Sequence, residues 1–114
     1  METVVWFTED CSKCRAVRDL LEERGVTARY REYLKEPPTV PELEHLADLL
    51  PARDAIELVR LKEPLAAELG LVDADRATRI AQIAAHPELL NRPIVVHGGK
   101  AVVARPPEAV IEVL

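Results

Sequence analysis

The chain has 114 residues and a mass of 12.7 kDa, and it is 48% apolar and 31% charged. That suits one globular domain burying roughly two thirds of its unfolded surface and is too apolar for a disordered chain. Fifteen Lys and Arg against 20 Asp and Glu give a net charge of -5 and a pI near 5.2, which argues against general binding of nucleic acid or anionic membranes.

Only 4% of the residues are aromatic, too few for a surface that stacks bases. No apolar run approaches the ~20 residues of a membrane span. The opening Met1-Glu2-Thr3-Val4-Val5-Trp6-Phe7 lacks the basic start and cleavage pattern of a signal peptide, so the expected compartment is the cytoplasm.

Thr3-Val4-Val5-Trp6-Phe7 reads as a strand covered on both faces. Thr8-Glu9-Asp10 breaks it, and a helix is expected from about Cys11 to Arg24, with Cys14, Val17, Leu20 and Leu21 as its apolar stripe. Gly25 is a natural stop. Val26 to Tyr33 alternates as a second strand, with Val26, Ala28 and Tyr30 on one face and Arg29 and Arg31 on the other, which suits a place near an edge. Strand, helix and strand in ~30 residues make a parallel, right-handed βαβ unit.

Pro37-Pro38 ends that unit, and Thr39 to Leu90 reads as helical. Thr39 is a candidate N-cap, with Glu42 placed for a capping box. A helical stretch is expected around Asp54 to Arg60, then a short turn from Pro64 to Gly70. Asp73 or Asp75 caps a last helix with the stripe Ala77, Ile80, Ala81 and Ala84, and Pro87 ends or kinks it. Beyond Asn91-Arg92-Pro93, Ile94-Val95-Val96-His97 and Lys100-Ala101-Val102-Val103 flank Gly98-Gly99 as a hairpin. Pro106 then opens a short terminal helix to Leu114. The order βα-β, helical insert, ββα matches an α/β fold, a thioredoxin-like sheet carrying an inserted helical subdomain.

Cys11-Ser12-Lys13-Cys14 contains both cysteines of the chain. A bridge this short is a poor staple, so the pair reads as chemistry before scaffolding. It lies where the first strand hands over to the first helix. There, backbone N–H groups and the helix dipole stabilise a thiolate at the first position. Lys13 and Arg15 add positive charge, and Glu9 and Asp10 oppose it. A spacing of three brings the second sulfur to the same face, so an internal disulfide can form and reopen. Cys14 on the apolar stripe also suits a small buried core residue. A zinc site needs about two further ligands, and His45, His86 and His97 are scattered without ligand spacing.

Among the arginines, Arg18, Arg24, Arg29, Arg31 and Arg79 read as solvated faces, with Asp75–Arg79 as a plausible helical pair. Arg60 ends an apolar helical stretch, Arg92 precedes a proline at the entry to a core strand, and Arg105 leaves the hairpin just before Pro106. Guanidinium groups converging on a thiolate at a helix N-terminus would form a site for a tetrahedral oxyanion. A lone arginine at a strand end is more often an exposed charge.

The run Pro87-Glu88-Leu89-Leu90-Asn91-Arg92-Pro93-Ile94-Val95-Val96, preceded by His86, resembles the His-Pro…Leu-Asn-Arg-Pro-Ile-Val stretch of the ArsC arsenate reductases. That family also includes the Spx-type regulators. Tyr33-Leu34-Lys35-Glu36-Pro37-Pro38 is similar to its segment before the helical insert. Arg60 with Lys62-Glu63-Pro64 and Glu68-Leu69-Gly70-Leu71 is similar to the region of its first substrate arginine, and Arg105-Pro106 to that of the third. The likeness spans nearly the whole chain. It implies a single ArsC-like domain over 1–114, with a thioredoxin-like core at 1–36 and 91–114 and a helical insert at 37–90. It also places Cys11 as the nucleophile, Arg60, Arg92 and Arg105 as the oxyanion-binding arginines, and Pro93 as a cis-proline. Two positions depart from the family. Its reductases carry a histidine four residues before the nucleophile, where this chain has Phe7, and those coupled to glutathione usually lack a cysteine at position 14.

The resemblance implies arsenate reduction through a Cys11 thiol–arsenate adduct, and the spacing of the cysteine pair adds the expectation that Cys14 resolves it as an internal disulfide, recycled by thioredoxin or by glutaredoxin with glutathione. No cofactor, metal, nucleic acid or membrane partner is expected, and the chain is expected to be a monomer. The alternative from another class is an Spx-type protein that binds RNA polymerase and uses the cysteine pair as a redox switch. A general thiol–disulfide oxidoreductase is the other.

Overall fold

β-branched and aromatic side chains make Thr3–Phe7 the first strand, β1, of a four-stranded sheet in the computed structural model, which describes residues 2–114. The chain divides into two compact units, Met1–Glu36 with Arg92–Leu114 and Pro37–Asn91. All four strands lie in the first: β1, β2 (Arg29–Glu32), β3 (Ile94–His97) and β4 (Lys100–Val103), in the order β2-β1-β3-β4. β2 runs parallel to β1, with Val5 opposite Tyr30 and Trp6 opposite Arg31. β3 is antiparallel to β1, with Trp6 opposite Ile94, and β4 is antiparallel to β3. This is a mixed α/β sheet of thioredoxin-like topology.

Helix α1 (Ser12–Glu23) begins one residue after Cys11, which is its N-cap, and buries Cys14, Val17 and Leu21. Its end is a Schellman motif: Gly25, at φ +69°, donates to the Glu22 carbonyl at 3.1 Å, and Val26 donates to Leu21 at 2.9 Å. The buried stripe packs with Val5, Phe7, Val95, Ala104, Val110 and Val113 into one core. Each fully buried side chain of the size of Val17 or Leu21 stabilises the fold by about 1.5–3 kcal/mol. The second strand is shorter than the expected Val26 to Tyr33, because the Schellman turn consumes Val26. Its alternation and edge position hold. The Gly98-Gly99 hairpin forms as expected, with Gly98 at φ +61°. The terminal segment Pro107–Val113 is a 3-10 helix.

In the second unit, α2 (Val40–Leu49) carries the capping box. Thr39 Oγ1 accepts from the Glu42 N–H at 3.3 Å, and the Thr39 N–H donates to Glu42 Oε1 at 3.0 Å. Three local expectations change here. The stretch Asp54 to Arg60 is helical only as the 3-10 turn Ile56–Leu58, after which Val59 is extended and bridges to Leu90. Pro64 to Gly70 contains a helix, α3 (Pro64–Glu68), which Pro64 opens within its first turn.

The third change concerns α4 (Arg76–Ala85), capped by Asp75 Oδ1 accepting from the Thr78 N–H at 2.8 Å. Its buried face is Arg79, Ile80 and Ile83, whereas Ala77 and Ala81 are exposed. Arg79, expected in solvent, is 5% exposed. It donates to the carbonyls of Leu71, Asp54 and Val72 at 2.8–2.9 Å, and Asp54 Oδ2 lies 3.6 Å away. Larger branched side chains take the inward face in preference to alanine, and the rotation that places Ile83 inside brings Arg79 with it. Among the described residues, no helix is long and apolar enough to cross a membrane.

Candidate active site

β1 delivers the chain into a turn in which the Cys11 N–H donates to the Thr8 carbonyl at 3.2 Å, and α1 then starts with the Arg15 N–H on the Cys11 carbonyl at 3.1 Å. Cys11 therefore sits at the N-terminus of α1, half-buried, while Cys14 one turn on is fully buried. Both are free thiols.

The surroundings separate the two thiols. Burial works to raise the Cys11 pKa, but four groups outweigh it and hold the thiol below its ordinary value: the Cys14 N–H, the Cys14 thiol, the Arg92 guanidinium and the Lys13 N–H. The Cys11 side chain makes no capping hydrogen bond of ordinary geometry. The effect is an electrostatic preference for the thiolate, as expected at a helix N-terminus. Burial pushes Cys14 up to about 12; the Thr8 N–H and Arg92 pull it down, and the Cys11 charge adds to the rise. The half-buried Cys11 sulfur thus favours the thiolate more than an ordinary cysteine does, and its neighbour is a buried thiol that donates to it.

Arg92 reaches this place because β3 pairs with β1: Ile94 lies opposite Trp6, and Arg92 stands two residues before it at the end of β1 that leads to Cys11. Burial disfavours the Arg92 charge, but Tyr33 and Cys11 more than offset it, and its pKa is raised. Arg92 Nη1 donates to the Tyr33 hydroxyl at 3.2 Å, and Arg105 Nη1 donates to the Arg92 carbonyl at 2.8 Å. Cys11, Cys14, Arg92 and Arg105 therefore form one connected group within the first unit. The Arg92–Pro93 and Arg105–Pro106 peptide bonds are cis, the first as expected for Pro93.

Arg60 belongs to the helical unit. It ends no helix: it follows extended Val59, and its N–H donates to the Leu89 carbonyl at 2.7 Å. Two further arginines are less solvated than their positions suggest. Arg31 lies over the Trp6 ring at 4.8 Å with its side chain 16% exposed, and Arg18 lies over the Phe7 ring at 5.4 Å while pairing with Glu9 at 2.8 Å. Phe7 itself is in the core, edge-on to Tyr30 with centroids 5.3 Å apart. Sequence reasoning missed Tyr33 as a member of the group. No spacing signals it, since it stands just past β2 and is brought in by the fold. Among the described residues, no three His, Cys, Asp or Glu side chains gather as metal ligands.

The model of the ArsC family matches residues 7–113. An arsenate reductase of Neisseria meningitidis is 42% identical over 99% of this chain and 98% of its own length, and one of Haemophilus influenzae is 35% identical over the full length of both. The solved structure of an arsenate reductase from Vibrio cholerae superposes with a TM-score of 0.94 at 39% identity, covering 100% of this chain and 98% of that one. With a family match across nearly every residue and the cysteine–arginine group in its place on the sheet, the chain belongs to the ArsC family.

Proposed function

We propose that the protein is an arsenate reductase with an internal resolving thiol. The observation that carries this reading is the Cys11 sulfur at the N-terminus of α1, its pKa lowered in part by the Arg92 guanidinium, with the buried Cys14 thiol one turn on. Arsenate is a tetrahedral oxyanion, and Arg92 and Arg105 hold and neutralise it while the Cys11 sulfur attacks. The Cys11 sulfur displaces one arsenic oxygen, which leaves as water after protonation, and a sulfur–arsenic(V) bond forms. Cys14 then attacks the Cys11 sulfur. The sulfur–sulfur bond forms, the sulfur–arsenic bond breaks, and its electron pair stays on arsenic, which leaves as arsenite. Two thiols lose two electrons in all, and arsenic gains two.

The environment of Cys14 orders these steps. Burial is the main cause of its high pKa, but the Cys11 charge and the hydrogen bond to Cys11 add to it. Once Cys11 is bonded to arsenic, its sulfur no longer carries a charge or accepts as a thiolate, while the Thr8 N–H still favours the Cys14 thiolate. Cys14 is thus a poor nucleophile before the adduct forms and a better one afterwards. A local resolving thiol removes the need for glutathione as second nucleophile, so thioredoxin is the favoured reductant and glutaredoxin the other.

The test is NADPH oxidation with arsenate, thioredoxin and thioredoxin reductase, each omitted in turn. Arsenate-dependent turnover without glutathione is expected. Replacing Arg92 or Arg105 by alanine lowers kcat/KM on the order of a hundredfold. No arsenate-dependent turnover with either thioredoxin or glutathione and glutaredoxin, alongside reduction of a model disulfide, would replace this reading with a general thiol–disulfide oxidoreductase.

A further inference from the structure

Among the described residues, Tyr33 is the largest fully buried side chain, and it stands just past the end of the edge strand β2. A buried phenol needs a polar partner for its hydroxyl. Here the partner is Arg92, whose Nη1 donates to the Tyr33 oxygen at 3.2 Å. Burial pushes Tyr33 up to about 12 against the pull of Arg92, so the hydroxyl stays neutral throughout the range in which a thiol enzyme works. Tyr33 also lies close enough to Cys11 and Cys14 to feel their charges. The main chain of Arg92 is held separately, by Arg105 on its carbonyl.

These contacts divide the work. Arg105 fixes where the Arg92 side chain starts, and Tyr33 fixes where its guanidinium ends. An arginine has several rotatable bonds between those points, so a hydrogen bond at the far end narrows where the charge lies relative to the thiol. The geometry points to Tyr33 as a positioning residue whose hydroxyl holds the Arg92 guanidinium against the Cys11 sulfur and so sets the reactivity of that thiol. The hydroxyl is neutral, so it orients the guanidinium without cancelling its charge. A carboxylate in the same place would neutralise Arg92 and remove its effect on both thiolate and oxyanion. The consequence for Cys11 needs no arsenate, and only the consequence for arsenate turnover rests on the function proposed above.

The experiment is the rate of Cys11 alkylation by iodoacetamide as a function of pH, with the modified residue identified by mass spectrometry, and it needs no arsenate. Wild type, Tyr33→Phe, Arg92→Lys and the double variant are compared, and Tyr33→Phe keeps the buried ring. In Tyr33→Phe the profile moves to higher pH, and the rate on its acid side falls about threefold or more, as loss of a charge-assisted hydrogen bond would bring. The double variant matches Arg92→Lys alone within about 1.5-fold, because Tyr33 acts only through Arg92. An unchanged profile in Tyr33→Phe, or effects that multiply in the double variant, would overturn the assignment. In arsenate turnover kcat/KM falls in Tyr33→Phe. A protein that proves inactive on arsenate still reports the alkylation result, so the two readings fail separately.

Discussion

Replacing Arg79 by methionine removes the three donors that satisfy the carbonyls of Leu71, Asp54 and Val72 while keeping most of the side-chain volume. The Leu71 bond is buried, and the other two are partly open. A buried carbonyl that loses a charged donor costs about 2–3 kcal/mol, and each of the two that water can reach costs about 1 kcal/mol. The methionine returns about 1 kcal/mol through its packing and the charge that no longer has to be buried. The net loss is about 3–4 kcal/mol, a large share of the 5–15 kcal/mol typical of a domain. At about 4 °C per kcal/mol for a chain of this length, the melting temperature falls by about 12–16 °C. Urea denaturation followed by far-UV circular dichroism, with calorimetry alongside, measures both quantities. Arg79→Lys is the control. A lysine presents a point charge in place of a fork and cannot reach three carbonyls at once, so it recovers less than half of the loss. A cost below about 1 kcal/mol for the methionine variant, or full stability in the lysine variant, would refute the role of the guanidinium as an organiser of this unit.

Phe7→His, which restores the family's histidine, places an imidazole in the core beside Tyr30. It destabilises the chain by about 2 kcal/mol in a thermal melt, and unchanged stability would show that the site tolerates a polar ring. Cys14→Ser forms the arsenic adduct and stalls there, so mass spectrometry finds arsenic on Cys11 and catalytic release of arsenite falls to background. Sustained turnover with thioredoxin alone would remove Cys14 from the mechanism. Stability falls as pH rises. Cys14 shifts from an ordinary 9.0 to about 12 and Tyr33 from 10.0 to about 12, so between those values the unfolded chain has released protons that the folded chain retains. Their contribution is complete below pH 9 and lost as pH rises towards 12. Urea midpoints across that range should decline, less steeply in Cys14→Ala, and a flat profile would count against burial as the cause.

Much of this protein is legible along the chain because the deciding interactions are local. The capping box of Thr39 and Glu42, the Gly25 stop, the Gly98-Gly99 hairpin and the alternation of β1 each depend on residues within a few positions of one another. The cysteine pair is local in the same sense. A spacing of three at the mouth of a helix already places one thiol at the N-terminus and its partner on the buried stripe. Where local signals were weak, the sequence misled. In α4, alanines and isoleucines allow several rotations, and burial of Ile83 chose the one that takes Arg79 inside.

The site's charge is of the other kind. Charge and spacing alone do not distinguish Arg92 from an exposed strand-end arginine; only the family resemblance of Leu90-Asn91-Arg92-Pro93 marks it. Its role near Cys11 comes from antiparallel pairing of β3 with β1 across some ninety residues of chain, and from Tyr33, which is 59 residues away in sequence and 3.2 Å away in space. The sequence by itself determined the thiol, its helix and its neighbour, since backbone geometry over one turn is enough to place them. Only the tertiary structure decided which guanidinium faces that thiol and which hydroxyl holds it there, because those contacts exist only after distant strands have paired and water has been removed around them.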